Sequence, residues 1–178
     1  MAAAQLLRAT ALTDEEKAKF EELKEAASCK IALEAKVDVK KQAVTHGYIF
    51  NGLKDHAKLQ MIDQHNWSGS SVQPYPQVIP YHREPAEFEH RGLLPPGSKG
   101  AVLYADGANS TARKWLVAFD NPSKKVYVEA GPTGPVNWDV IEVKLDASES
   151  TSRFEDTVLG GKALAVNYGQ ILMVSFSN

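Results

Sequence analysis

The 178 residues carry 43% hydrophobic and 24% charged side chains, with a formal net charge of -2 at pH 7. That is enough chain for one domain with its own apolar core, and the charge lacks the basic excess that nonspecific nucleic-acid binding requires. Lys40-Lys41 and Lys124-Lys125 are isolated pairs rather than a polybasic tail, and Cys29, the only cysteine, excludes an internal disulfide.

The segment from Met1 to Leu12 is apolar but short, and Arg8 interrupts it. It predicts neither a secretory leader nor a membrane span, so together with the lone cysteine it points to a cytoplasmic protein. Thr13 and Glu16 have capping-box spacing, and Asp14, Glu15 and Glu16 suit the positive end of a helix dipole. Phe20, Leu23, Ala27 and Ile31 then recur at helical spacing opposite Lys17, Glu21, Lys24 and Glu25. A helix over about 14–35 is predicted, with one thin apolar stripe suited to docking on a sheet. Cys29 lies near that stripe and is read as a half-buried, inert thiol.

From Val37 onward the period falls to two. Val44, His46, Tyr48 and Phe50 alternate, Asn51-Gly52 carries a hairpin-type turn signal, and Leu59 and Met61 resume the alternation. Residues 72–98 contain Pro74, Pro76, Pro80, Pro85, Pro95 and Pro96, which predicts short edge strands and ordered loops there. Strands follow at Ala101 to Tyr104, Trp115 to Phe119 and Val126 to Val128. Ile141, Val143 and Leu145 are read as one face of another strand, and residues 146–161 as a loop. Leu164, Val166 and Tyr168 are placed opposite Ile171, Met173 and Ser175 in a last hairpin. The fold class expected is mainly β: an antiparallel β-sandwich over 37–178, preceded by a helical segment over 1–36.

No nucleophile elbow, phosphate-binding loop, HExxH or CxxC pattern occurs, so no catalytic residue, cofactor or metal site is assigned. Asp63 and His65 fall on one face of a strand, and His82 and His90 lie in or near the proline-rich stretch, but this spacing does not define a metal site. The aromatic residues carry the functional signal. Trp67, Tyr75, Tyr81 and Tyr104 lie in or beside the loop-rich segment together with His82. These five are the candidate ligand-binding residues, a pocket whose rings would stack on a sugar or sit at a lipid headgroup. Trp115 and Trp138 are read as core. The partners expected are a carbohydrate or a lipid headgroup. A membrane surface and self-association into a homo-oligomer are kept as further partners.

Between His65 and about Asp139 an ordered series of short elements stands out: His65-Asn66-Trp67-Ser68-Gly69, Pro74-Tyr75-Pro76, Phe88-Glu89-His90, Gly97 to Tyr104, Trp115 to Pro122, Val126-Tyr127 and Trp138-Asp139. This series resembles the jasmonate-induced 23 kDa small proteins of plants. The resemblance implies a soluble, non-secreted stress or defence protein with no assigned catalytic residues. The layout is also similar to the β-sandwich of actinoporins and fungal lectins, which implies a lectin-like or membrane-active protein. Against a pore-forming toxin, residues 14–25 are too densely charged for a helix that enters lipid.

Overall fold

A computed structural model describes residues 14–34, 42–81 and 84–178. Helix α1 (Asp14–Glu34) is followed by β1 (Gln42–Gly52), β2 (Leu59–Ser68), β3 (Ser70–Gln73), β4 (Val78–Ile79), β5 (Ala86–Leu93) and β6 (Ser98–Ala105). Then come β7 (Arg113–Asn121), β8 (Lys125–Pro132), α2 (Trp138–Asp146), β9 (Thr151–Glu155), β10 (Lys162–Asn167) and β11 (Ile171–Ser177). The strands form a six-stranded sheet, in the order β3-β5-β1-β11-β10-β9, and a five-stranded sheet, in the order β4-β2-β6-β7-β8. The expected sandwich is present. Its pairings are antiparallel with one exception: β1 runs parallel to β11, from His46 opposite Ile171 to Gly52 opposite Ser177.

The two sheets enclose one core built from Ile49, Val102, Tyr104, Trp115, Val117, Phe119, Leu172 and Phe176 among others. Each sheet also has its outer face covered by a helix. Phe20, Leu23, Ala27 and Ile31 of α1 pack on Tyr48, Leu164, Ile171 and Met173 of the six-stranded sheet. Ile141 and Leu145 of α2 pack on Ala101, Leu103, Leu116 and Ala118 of the five-stranded sheet. The molecule is therefore layered helix, sheet, sheet, helix. This explains why Ala101 to Tyr104 and Trp115 to Phe119 read as unbroken apolar runs: strands buried on both faces lose the polar half of their alternation.

Several sequence expectations give way here. Asn51-Gly52 closes no hairpin, because β1 and β2 belong to different sheets. The Asn51 side chain is instead buried. Its Nδ2 donates to the carbonyls of Ala57 (2.8 Å) and Ile79 (3.0 Å), and its Oδ1 accepts from Leu53 N, which fixes the crossing between sheets. The segment with Ile141, Val143 and Leu145 is a helix, not a strand. The Asn137 side chain caps it by accepting from the amides of Asp139 and Val140, Ile141 and Leu145 point inward, and Val143 is exposed. The loop expected over 146–161 contains the edge strand β9, paired with β10. Within the proline-rich stretch, residues 86–93 escape the prolines and form β5, an interior strand between β3 and β1. Cys29 is exposed rather than half-buried.

A buried hydrogen-bonded chain ties the two sheets. Thr45 Oγ1 lies 2.8 Å from Ser98 Oγ, Ser98 Oγ lies 2.8 Å from His90 Nδ1, and His90 Nε2 lies 3.1 Å from Asn66 Oδ1. With Asn66 Oδ1 accepting, Nε2 carries the proton and Nδ1 accepts from the Ser98 hydroxyl, so the ring fits as a neutral imidazole. Burial lowers its pKa from 6.5 to about 4. Because the unfolded chain binds this proton first, stability is fully present above pH 6.5 and is lost as pH falls toward about 4. The loss totals about 3 kcal/mol, at a slope of at most about 1.4 kcal/mol per pH unit. Urea midpoints measured across this window are expected to fall with acidification in the wild type. His90→Gln, which keeps one donor and one acceptor, is expected to lower the plateau and remove that part of the slope.

Candidate ligand-binding site

The structure disperses the five candidate residues instead of gathering them into a pocket. Tyr75 and Tyr104 are core residues, 1% and 0% exposed, and cannot meet a ligand. Tyr104 alternates with Val102 on the inward face of β6, and Tyr75 packs its ring on Phe88 at a centroid distance of 4.7 Å. Burial raises the pKa of both hydroxyls above the ordinary tyrosine value. Tyr81 stacks on His56 (4.2 Å, 21°) beside the β1–β2 crossing, at the end of the sandwich remote from Trp67. His82 lies outside the described residues. Trp67 stands at a surface where three rings meet.

That surface is the outer face of the five-stranded sheet beside α2. His65 and Trp67 project from β2, and Trp138 opens α2. The two indoles meet edge to face (6.3 Å, 80°), while His65 stacks flat on Trp138 (5.3 Å, 13°) and edge-on to Trp67 (5.0 Å). All three rings are half-buried. The Trp67 indole N–H is buried with no acceptor among the described residues. Lys99 closes one side, with Nζ 5.7 Å from the Trp67 ring centroid and 2.8 Å from both Glu142 Oε1 and Asp146 Oδ1. Burial opposes the Lys99 charge, but hydrogen bonds to Asp146 and Glu142 outweigh it and raise the pKa above the ordinary lysine value. Trp138 is thus a rim residue rather than core, while Trp115 is fully buried as expected. Asn137 before Trp138, with Ile141 and Leu145 following at spacings of three and four, was the signal for this corner.

A second feature lies one residue along β2. The β2–β3 turn at Gly69 and the β5–β6 turn at 94–97 meet at one end of the sandwich, with the β7–β8 turn at 122–124 beside them. Gly69 has φ +87°, and a Cβ there would stand 2.3 Å from the Arg91 carbonyl oxygen, so only glycine lets the β2–β3 turn close against β5. Between them runs a cleft of about 550 Å³ lined in part by Ser68, Val72, Arg91, Leu93, Pro95 and Pro96. Val72 is 60% exposed, Leu93 66% and the neighbouring Leu94 43%. Arg91, half-exposed, is ion-paired with Glu89, whose other oxygen lies 3.6 Å from His46 Nδ1. Among the described residues no cluster of three or more histidines, cysteines or carboxylates could hold a metal ion.

No family-wide sequence profile matches the chain. A jasmonate-induced protein homolog of Atriplex canescens is 30% identical over 161 residues, which cover 84% of this chain and 83% of that protein. The chain belongs to the jasmonate-induced protein family. The similarity runs well beyond the stretch from His65 to Asp139 that carries the motifs. Among solved structures, the lipid binding protein Nakanori superposes with a TM-score of 0.64 at 16% identity, covering 88% of this chain and 79% of that one. A wild-type lectin of Xerocomus chrysenteron gives a TM-score of 0.49 at 10% identity, covering 76% and 98% of the two chains. This member of the family therefore shares its sandwich fold with Nakanori.

Proposed function

We propose that this member of the jasmonate-induced protein family is a non-catalytic, defence-related binding protein of the cytoplasm. It recognises the headgroup of a membrane lipid with the Gly69 end of its sandwich. One observation carries the reading: the exposed apolar side chains of Val72 and Leu93 line a cleft that bears a half-exposed arginine, and the exposed Leu94 follows next in the chain. Isolated surface leucines are ordinary, but apolar side chains grouped at the tip of a rigid scaffold mark an interaction surface. Entry of the three side chains into the interfacial layer supplies a few kcal/mol at roughly 25 cal/mol per Å², comparable to one weak anchor. Arg91 would add a hydrogen-bonded contact to the headgroup phosphate. Because Glu89 already pairs with Arg91 and the net charge is -2, the binding is expected to depend weakly on salt. The shared fold with a protein named as lipid binding supports the same class of ligand.

Co-sedimentation with phosphatidylcholine vesicles, with and without phosphatidylserine, tests this. The wild type is expected to sediment with both. The combined Leu93→Asp and Leu94→Asp variant is expected to lose affinity at least tenfold, about 1.4 kcal/mol, at an unchanged urea midpoint. Equal binding by the variant, or no binding of the wild type to either vesicle, overturns the proposal.

A second reading rests on a different observation, the perpendicular indoles of Trp67 and Trp138 with Glu142 one helical turn beyond Trp138. Such a corner offers an aromatic face for a sugar ring and carboxylate acceptors for its hydroxyls. On a glycan array, Trp138→Ala is expected to lose every hit the wild type gives. Hits retained by that variant, or none with the wild type, remove the carbohydrate reading.

A further inference from the structure

We propose that the cavity between α1 and the outer face of the six-stranded sheet is a binding site for a small amphiphilic anion: a carboxylate carried on an apolar body. The cavity measures about 330 Å³, the lower end of the size of small-molecule sites. Its apolar lining comes from Phe20 of α1, Phe50 of β1 and Leu164 of β10. Around these stand three cations, Lys19, Arg153 and Lys162, against two carboxylates, Glu16 and Glu155. Ser175 and Ser177 of β11 also line it and bring hydroxyl donors.

This composition is not what packing a helix on a sheet requires. Farther along α1, Leu23, Ala27 and Ile31 meet the apolar outer face of the sheet directly. At the first turns Phe20 still meets the sheet, but Glu16 and Lys19 beside it line a cavity together with Arg153 and Lys162. Glu16 bridges across the cavity to Arg153 Nη2. Lys19 Nζ lies 5.3 Å from the Phe50 ring centroid, and Lys162 Nζ lies 3.3 Å from Glu155 Oε1. Each carboxylate thus accounts for one cation, and the lining keeps one positive charge in excess.

The decisive atom is Arg153 Nε. It is buried and has no acceptor among the described residues. A buried donor left unsatisfied is costly, and more so when it is charged. Glu16 takes one edge of the guanidinium and leaves this N–H unused. A small turn of the guanidinium about its stem would present Nε to a ligand oxygen in the cavity. A carboxylate there gains a charge-assisted hydrogen bond at Arg153 and the attraction of Lys19, while its apolar body lies among Phe20, Phe50 and Leu164. The site is separate from the Gly69 end and does not depend on lipid binding there.

Sodium octanoate is the probe, and octanol, equally apolar but uncharged, is the control. Calorimetric titration of the full chain is expected to give saturable one-to-one binding of octanoate and at least tenfold weaker binding of octanol. Arg153→Gln is expected to weaken octanoate tenfold or more. Should that variant loosen α1, Ser175→Trp, which fills the cavity and spares the ion pair, is expected to abolish binding at an unchanged urea midpoint. The combined Leu93→Asp and Leu94→Asp variant is expected to bind octanoate like the wild type. No saturable octanoate binding, equal binding of octanol, or undiminished binding by the Ser175→Trp variant overturns the proposal.

Discussion

The ring of Phe88 lies across the backbone of Gly47, and the two sheets meet around that contact. The two residues face each other in the β1–β5 ladder, and a Cβ at position 47 would stand 1.9 Å from Phe88 Cε1. With only hydrogen there, the ring drops between the sheets and meets Tyr75 on one side and Phe119 of the opposite sheet on the other. Glycine in a strand costs backbone entropy and cross-strand packing; here the missing side chain makes room for a larger one. Strand β1 is also the one that pairs in parallel with β11, so the first and last described strands meet in the middle of the six-stranded sheet. Elements from β2 to β10 are held between those two, and the turns at the Gly69 end are only as rigid as this closure makes them.

How far the sequence disclosed this depended on whether local pattern and tertiary burial agreed. Helix α1 was legible because its charge pattern and the stripe Phe20, Leu23, Ala27 and Ile31 point the same way, while the cap expected at Thr13 lies outside the described residues. Strands β6, β7, β10 and β11 were legible from apolar runs and turn residues. Helix α2 was not, because Ile141, Val143 and Leu145 fit a period of two as well as Ile141 and Leu145 fit a period of four. Over nine residues, helix or strand is decided by the Asn137 cap and by what lies beneath. Asn51-Gly52 misled for a related reason: Asn51 is committed to carbonyls of two other segments, a use of its amide that no local rule reveals.

The candidate site was less legible than the fold. Tyr75 and Tyr104 look like recognition residues because prolines or polar turns flank them, but their ring faces complete the core. Trp67 was placed at a surface, and the partners that give it shape, His65 and Trp138, come from a strand and from a helix more than seventy residues away in the chain. The apolar end was missed altogether, since Val72, Leu93 and Leu94 are unremarkable until β3 and β5 are paired and the turns brought together. Family membership and the shared sandwich fold do not by themselves say what the surfaces bind. The binding role proposed above rests on the surfaces themselves.

The proposed lipid binding is tested most directly by finding whether, and with which part of the sandwich, the protein meets a bilayer. Amide signals of the isotopically labelled protein, recorded with phosphatidylcholine nanodiscs carrying a spin-labelled lipid, would read this residue by residue. The account predicts paramagnetic broadening at Gly69, Val72, Leu93 and Leu94, with the amides of β7, β10 and α1 left sharp. Broadening centred on α1 or on the β1–β2 crossing near His56, or none anywhere, would contradict it.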